Sequence, residues 1–135
     1  MKRVVIFGGK GFVGSELVKV LTDYDVYTSW RGESKGNHIS ANILDKKSLL
    51  TCIEKNDIIV NLVGLTPNRK PNGVSYADIH VKGVKNIIKV CKIKNCRLIH
   101  MSALGADTNG KTEYLRTKGE GEKIVSSSGL KANAF

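Results

Sequence analysis

Tyr114 and Lys118 stand four residues apart, one helical turn, so a phenol and an ammonium share one face. An ammonium at that distance favours phenolate and lowers the tyrosine pKa from about 10, making Tyr114 a candidate general acid or base near neutral pH. Lys118 is also placed to bind a sugar hydroxyl pair, such as a nicotinamide ribose. Ser102 ends the segment Arg97–Ser102, which reads as a strand, and has the hydroxyl needed to hydrogen-bond a substrate carbonyl as charge develops on its oxygen. The spacing alone is cheap: with four tyrosines and this lysine usage, about 0.5 such Tyr/Lys pairs arise by chance. The surrounding chain has to carry the assignment.

The strongest local signal is the glycine turn Gly8-Gly9-Lys10-Gly11-Phe12-Val13-Gly14, which directly follows the β-branched and aromatic run Val4-Val5-Ile6-Phe7. Glycines let the backbone turn tightly and approach a pyrophosphate with no Cβ in the way, and Gly14 permits close helix-to-sheet packing. The following helix presents free backbone N–H groups and the positive end of its dipole to the same gap. Gly8, Gly11, Phe12, Val13 and Gly14 are therefore expected to hold a dinucleotide. NAD binders commonly place an acidic residue about 20 residues further on for the ribose hydroxyls. Here the second strand ends in Ser29-Trp30-Arg31. A guanidinium at Arg31, with Lys35 nearby, suits a 2′-phosphate, so NADP(H) is the preferred cofactor. Glu33 is close enough to serve as a ribose ligand instead, which leaves NAD(H) open.

The elements that must position these residues alternate along the chain. Val4–Phe7 reads as a strand buried on both faces, and Val13, Leu17, Val20 and Leu21 make a helical stripe within Phe12–Leu21. Strands are expected at Val26–Trp30, His38–Ala41, Ile58–Val63 and Arg97–Ser102, with helices at Ser48–Ile53, Val74–Lys94 and Glu113–Ser127. Strands alternating with helices at this spacing predict an α/β fold, a doubly wound parallel sheet with right-handed crossovers. Pro67–Gly73 and Ala103–Lys111 are the main loops, both after strand C-terminal ends, where such sheets bind ligands.

The composition is that of one globular domain: 135 residues, 41% hydrophobic and 25% charged. No apolar stretch approaches the roughly 20 residues of a membrane span. Only four apolar residues separate Arg3 from Gly8, too few for a secretory leader, so the chain reads as cytoplasmic. Three cysteines without C-x-x-C spacing argue against a disulfide framework, and His38, His80 and His100 lack metal-ligand spacing. The formal net charge of +10 includes a row at Lys82, Lys85, Lys89 and Lys92 beside the apolar stripe Val81, Val84, Ile88 and Cys91. Lysines at this pitch read first as a solvated helix face. With 6% aromatic residues and no interleaved aromatic row, nucleic-acid binding ranks low.

Several segments together resemble the extended and atypical short-chain dehydrogenase/reductases: the glycine turn, Asn61-Leu62-Val63-Gly64, His100 to Asp107, and Tyr114 to Lys118 followed by Gly119-Glu120-Gly121-Glu122. Within them the chain is similar to the group of the dinucleotide-binding accessory subunit of respiratory complex I and its prokaryotic epimerase/dehydratase-like relatives. The resemblance implies a Rossmann fold, with Asn42 at the adenine contact and Val63 and Gly64 along the adenosine side. It places Ser102, Tyr114 and Lys118 at the family's Ser, Tyr and Lys. Two departures stand out. His80 in Asp78–Gly83 replaces the Asn of an N-V-x-G motif, and the sequence given ends at Phe135, so a truncated sixth strand and no substrate lobe are expected within it, whether it is a truncated product, an excerpted domain or a partner-completed protein.

Three functions follow for comparison. The leading one is an NADP(H)-preferring reductase- or epimerase-type protein, with Tyr114 as acid/base, Lys118 as its electrostatic aid, Ser102 as carbonyl donor, and an undefined small-molecule substrate. The second is a non-catalytic dinucleotide-binding module in a larger assembly. The third, a basic helix acting on nucleic acid, requires salt-sensitive binding. Outer helices and an incomplete edge strand also give two copies a reason to associate.

Overall fold

The computed structural model describes residues 1–30, 32–65 and 73–135. Six strands, β1 (Arg3–Phe7), β2 (Asp25–Trp30), β3 (His38–Ser40), β4 (Ile58–Asn61), β5 (Arg97–His100) and β6 (Ala132–Ala134), form one sheet in the order β3-β2-β1-β4-β5-β6. Every pairing between neighbours is parallel. The order reverses between β1 and β4, which opens a crevice at their C-terminal ends. The doubly wound class expected from the sequence is the one observed. The sixth strand, expected to be truncated, forms over three residues, pairing Leu98 with Ala132 and His100 with Ala134.

Alternation along the strands sorts the core into two faces. Val5 and Phe7 of β1, Ile59 of β4 and Leu98 of β5 join the larger cluster beneath helices α2 (Lys46–Cys52), α3 (Val84–Lys94) and α4 (Glu113–Ser126). Val4, Ile6, Val60, Ile58 and Ile99 point the other way, toward α1 (Phe12–Val20) and its Leu17, and toward Leu21 just beyond it. The same parity puts Asn61 and His100 on the α3/α4 side, in register with each other.

The segment Val74–Lys94 departs from the uniform helix expected there. A π-helical turn, Asp78–Gly83, comes first and runs directly into α3. Ser75 and Asp78 hold its entrance: the Ser75 N–H donates to the Asp78 carboxylate, and the Asp78 N–H donates to the Ser75 hydroxyl. Against this turn α4 packs at Gly121, where a Cβ would lie only 2.4 Å from the His80 carbonyl oxygen. That close approach brings His80 within reach of α4. Asn95 closes α3 in a left-handed conformation (φ 55°). The α4 start is capped by Thr112, whose hydroxyl accepts from the Leu115 N–H.

Candidate dinucleotide site

The crevice begins at the glycine turn. Gly8 adopts φ 85°, a left-handed conformation that glycine takes without strain, and its carbonyl accepts the Gly11 N–H at 3.1 Å. Gly11 caps α1 with no side chain, so the N–H groups of Phe12, Val13 and Gly14 have no acceptor within the helix. A Cβ on Gly14 would stand 2.4 Å from the Gly8 oxygen and 2.6 Å from the Gly9 Cα. The helix therefore starts in contact with the turn, its dipole directed into the opening. An anionic pyrophosphate fits these donors.

Beyond the turn, Gly8, Ser29, Trp30, Asn42, Val63 and Ile79 line a cleft. Asn42 is exposed there, and its side-chain oxygen accepts the Leu44 N–H at 2.9 Å, which fixes the loop entering α2. Arg31 lies outside the described residues, as do most of Pro67–Gly73. At the preceding position, Trp30 Nε1 donates to the Glu33 carbonyl at 2.8 Å, and Lys10 Nζ sits 3.9 Å from the Trp30 ring centre. This cation–π contact places a positive charge from the glycine turn at the end of β2. Lys10 was not among the sequence-derived candidates, although its place inside the glycine turn marks it.

At the other end of the crevice lies a buried polar cluster. Lys118 is 6% exposed, and its Nζ donates to the Met101 carbonyl at 3.0 Å. A Cβ on Gly64 would stand 3.7 Å from that nitrogen and 3.6 Å from His80 Nε2, so the two groups sit just under the Gly64 backbone. Burial lowers the Lys118 pKa, while the Glu122 carboxylate pulls the other way. The Ser102 hydroxyl donates to Glu122 at 2.7 Å, tying the end of β5 to α4. Tyr114 is half-buried, its ring edge-on to His80 (5.5 Å between centres) and to Tyr76 (6.0 Å).

Two histidines complete the cluster as neutral rings. His80 Nε2 accepts the Leu65 N–H at 3.0 Å, so its proton resides on Nδ1, which donates to the Thr117 hydroxyl at 2.8 Å. Asn61 accepts the Val63 N–H through its oxygen, which directs its NH2 toward His100 Nδ1 at 3.2 Å. Burial, reinforced by the Lys118 charge, presses both histidines from 6.5 to about 4. Among the described residues no buried side-chain nitrogen or oxygen lacks a partner.

Of the sequence-derived residues, the structure lines one crevice with Gly8, Asn42 and Val63, opens the α1 start (Gly11, Phe12, Val13, Gly14) onto it, and sets Lys118 beneath Gly64. Tyr114 shares the Lys118 helix, and Ser102 is joined to that helix through Glu122. Sequence reasoning singled out His80 only as a departure from an N-V-x-G motif and Glu122 only within the segment after Lys118, and gave neither its part in joining α4 to its neighbours. Glu122 was within reach, since Tyr114, Lys118 and Glu122 follow at successive spacings of four. His80 was not, because its contact depends on the π turn.

A parallel sheet with a glycine turn feeding a helix N-terminus at its switch point defines a Rossmann-type nucleotide-binding domain. The chain belongs to the NAD dependent epimerase/dehydratase family, whose model matches residues 4–126. It is 27% identical over 137 residues to the mitochondrial NADH-ubiquinone oxidoreductase 40 kDa subunit of Neurospora crassa, covering 90% of this chain and 36% of that protein. Solved structures with the same fold include L-threonine dehydrogenase from Clostridium difficile (TM-score 0.77, 21% identity, 99% of this chain and 52% of that one). Another is the Thermus thermophilus UDP-glucose 4-epimerase complex with NAD (TM-score 0.75, 18% identity, 98% and 53%). The chain thus spans about a third of the fungal subunit and about half of these enzymes. Family membership and the fit of the crevice together support binding of a nicotinamide dinucleotide. No helix among the described residues is long and apolar enough to cross a membrane.

Proposed function

We propose that this chain is a nicotinamide-dinucleotide-binding domain of the short-chain dehydrogenase/reductase type that prefers NADP(H) over NAD(H). The observation that carries the preference is Lys10, whose ammonium rests on Trp30 at the end of the strand that leads to Arg31. In such sites the ribose next to adenine lies at this strand end, and the Lys10 cation there, with Arg31 the next residue in sequence, favours an added phosphate. The bound dinucleotide supplies the redox chemistry. Gly11 to Gly14 hold its pyrophosphate, Asn42 and Val63 flank the adenosine half, and Lys118 lies beneath Gly64 toward the ribose of the reacting half. Within the reaction Tyr114 exchanges the proton, Lys118 supports its charge, and Ser102 orients the substrate oxygen.

The test is a titration of the chain with NADPH and with NADH, read by ligand fluorescence and melting temperature. Tighter NADPH binding, lost preferentially in Lys10→Ala or Arg31→Ala, is the expected result; equal affinities overturn the NADP(H) preference, and binding of neither overturns the cofactor reading.

A second reading is favoured by the Ser102–Glu122 hydrogen bond and by the fungal relative. With its proton engaged by Glu122 and the Lys118 ammonium by Met101, the site holds a dinucleotide without offering Ser102 as a donor. The chain then acts as a dinucleotide-binding part of a larger, respiratory-type assembly. Turnover abolished in Tyr114→Phe with cofactor affinity kept within a few fold favours the enzyme; a Tyr114→Phe variant indistinguishable from wild type in every assay favours the module.

A further inference from the structure

Two of the three cysteines meet where α3 turns into β5. Asn95 ends the helix in the left-handed conformation, and the N–H groups of Asn95 and Cys96 both turn back onto the Cys91 carbonyl, the second at 2.9 Å. This closure is the Schellman motif, which sets the side chain after the left-handed residue against one in the last turn of the helix. Those two positions frequently hold an apolar pair; here they are Cys91 and Cys96. With standard bond lengths the 2.9 Å contact keeps their Cα atoms within about 7 Å, the span that a disulfide can bridge. Both are free thiols buried in one core cluster. We propose that Cys91 and Cys96 form a reversible dithiol/disulfide site, oxidised by hydroperoxides, with Cys96 as the attacking sulfur and Cys91 as the resolving one.

The two sulfurs are not equivalent. The hydrogen bond between them holds the Cys96 thiol below its ordinary range, against the effect of burial, and pushes the Cys91 thiol up together with burial. Cys96 is thus the readier thiolate, and the thiolate is the nucleophile in such oxidations. It is also the one with residual exposure, 5% against 0% for Cys91, and it lines a cleft with Lys2, Asn56 and Arg97 at the N-terminal end of the sheet. Cys52, on α2, is pushed up to about 11, chiefly by burial. It serves as an internal control.

The oxidation balances with one peroxide per pair. The Cys96 thiolate attacks a peroxide oxygen, the O–O bond breaks, and the departing hydroxide takes up the proton that Cys96 gave up, leaving water and a sulfenic acid. Cys91 then loses its proton and attacks the Cys96 sulfur, and the sulfenic oxygen leaves as a second water. Two thiols are oxidised to one disulfide and the peroxide is reduced to two waters. The Cys96 thiol gives up its hydrogen bond to the Glu54 carbonyl in the process, but that carbonyl keeps the Asp57 N–H at 3.2 Å. The fold therefore accommodates the oxidised pair without orphaning a backbone acceptor.

The test treats the folded chain with hydrogen peroxide, alkylates the remaining thiols and maps the tryptic fragments by mass. The intact chain should lose about 2 Da, and dithiothreitol should restore it. Trypsin cuts after Lys92 and Lys94, so the disulfide should appear as fragments 90–92 and 95–97 joined through sulfur, with Cys52 recovered alkylated. In Cys96→Ser, shown to be folded by circular dichroism, the mass loss should disappear. The proposal is overturned if Cys91 and Cys96 are recovered as free thiols or only as sulfinic or sulfonic acids. A disulfide to Cys52, or a mass loss that persists in Cys96→Ser, overturns it equally. The mapping of the wild-type chain stands without the variant and is independent of whether the crevice binds NADPH.

Discussion

His80 Nδ1 lies 2.8 Å from the Thr117 hydroxyl, and through its other nitrogen the same ring takes the Leu65 N–H. One imidazole thereby joins the π turn before α3, the helix that carries Tyr114 and Lys118, and the segment that leaves β4. Thr117 completes the chain by reaching the Glu113 and Tyr114 carbonyls. His80→Ala removes a buried ring and leaves the Leu65 N–H unsatisfied, a cost of about 2–4 kcal/mol. Urea unfolding measures it, and the midpoint should fall without a change in slope. Dinucleotide affinity should fall with it, because the segment that carries Gly64 loses its anchor at the Leu65 N–H and α4 loses its bond at Thr117.

The two neutral histidines predict an acid-labile fold. Each has a folded pKa near 4 against 6.5 in the free side chain, so between these values the unfolded chain binds more protons than the folded one. Stability from this source is complete above about pH 6.5 and is lost as pH falls toward 4, at about 1.4 kcal/mol per group for each pH unit crossed. Melting temperatures from pH 8 to pH 4 should show the decline starting near 6.5. His80→Asn, which keeps a polar side chain but cannot titrate, should make it shallower. An unchanged slope would show that His80 is not one of the groups responsible.

The glycine turn predicts a graded series. Gly14→Ala forces a methyl into the Gly8 carbonyl and the Gly9 Cα, both backbone, so the turn or the helix must move. It should lower the melting temperature by several degrees, consistent with about 2 kcal/mol of overpacking, and abolish dinucleotide binding. Gly11→Ala meets only the Gly8 oxygen at 3.3 Å, and should weaken binding with a smaller loss of stability. Calorimetry on both variants with and without NADPH separates the two effects.

Arg3 and Asp57 predict a purely structural effect. Asp57 is 2% exposed and is hydrogen-bonded to Arg3 and to the Glu54 N–H. Burial raises its pKa, while the Glu54 N–H and the Arg3 charge resist that change. Arg3→Met leaves a buried carboxylate without its cation and should cost about 3 kcal/mol in thermal or urea unfolding, with the crevice at the opposite strand ends unaffected. Loss of dinucleotide affinity beyond what unfolding explains would contradict this separation.

The parts of this protein that depend on neighbours in sequence were legible from residues alone. The Val4–Phe7 run needs burial on both faces, the glycines after it need room for a turn, and Phe12–Val20 needs an apolar stripe. These are local requirements of backbone geometry, and together they specify a parallel α/β domain with a phosphate-binding turn. The Tyr114/Lys118 pair was legible for the same reason, since spacing on a helix is a local property. What joined these parts was decided by packing between distant segments. The π turn shifts His80 by an amount no apolar periodicity reports, and only then can it meet Thr117, 37 residues away. Whether Ser102 faces a substrate or Glu122 depends on where α4 crosses β5, which the close contact at Gly121 helps set. The short β6 and the contact of Lys10 with Trp30 likewise exist only once the sheet is assembled, because each is a relation between surfaces and not a property of any one segment.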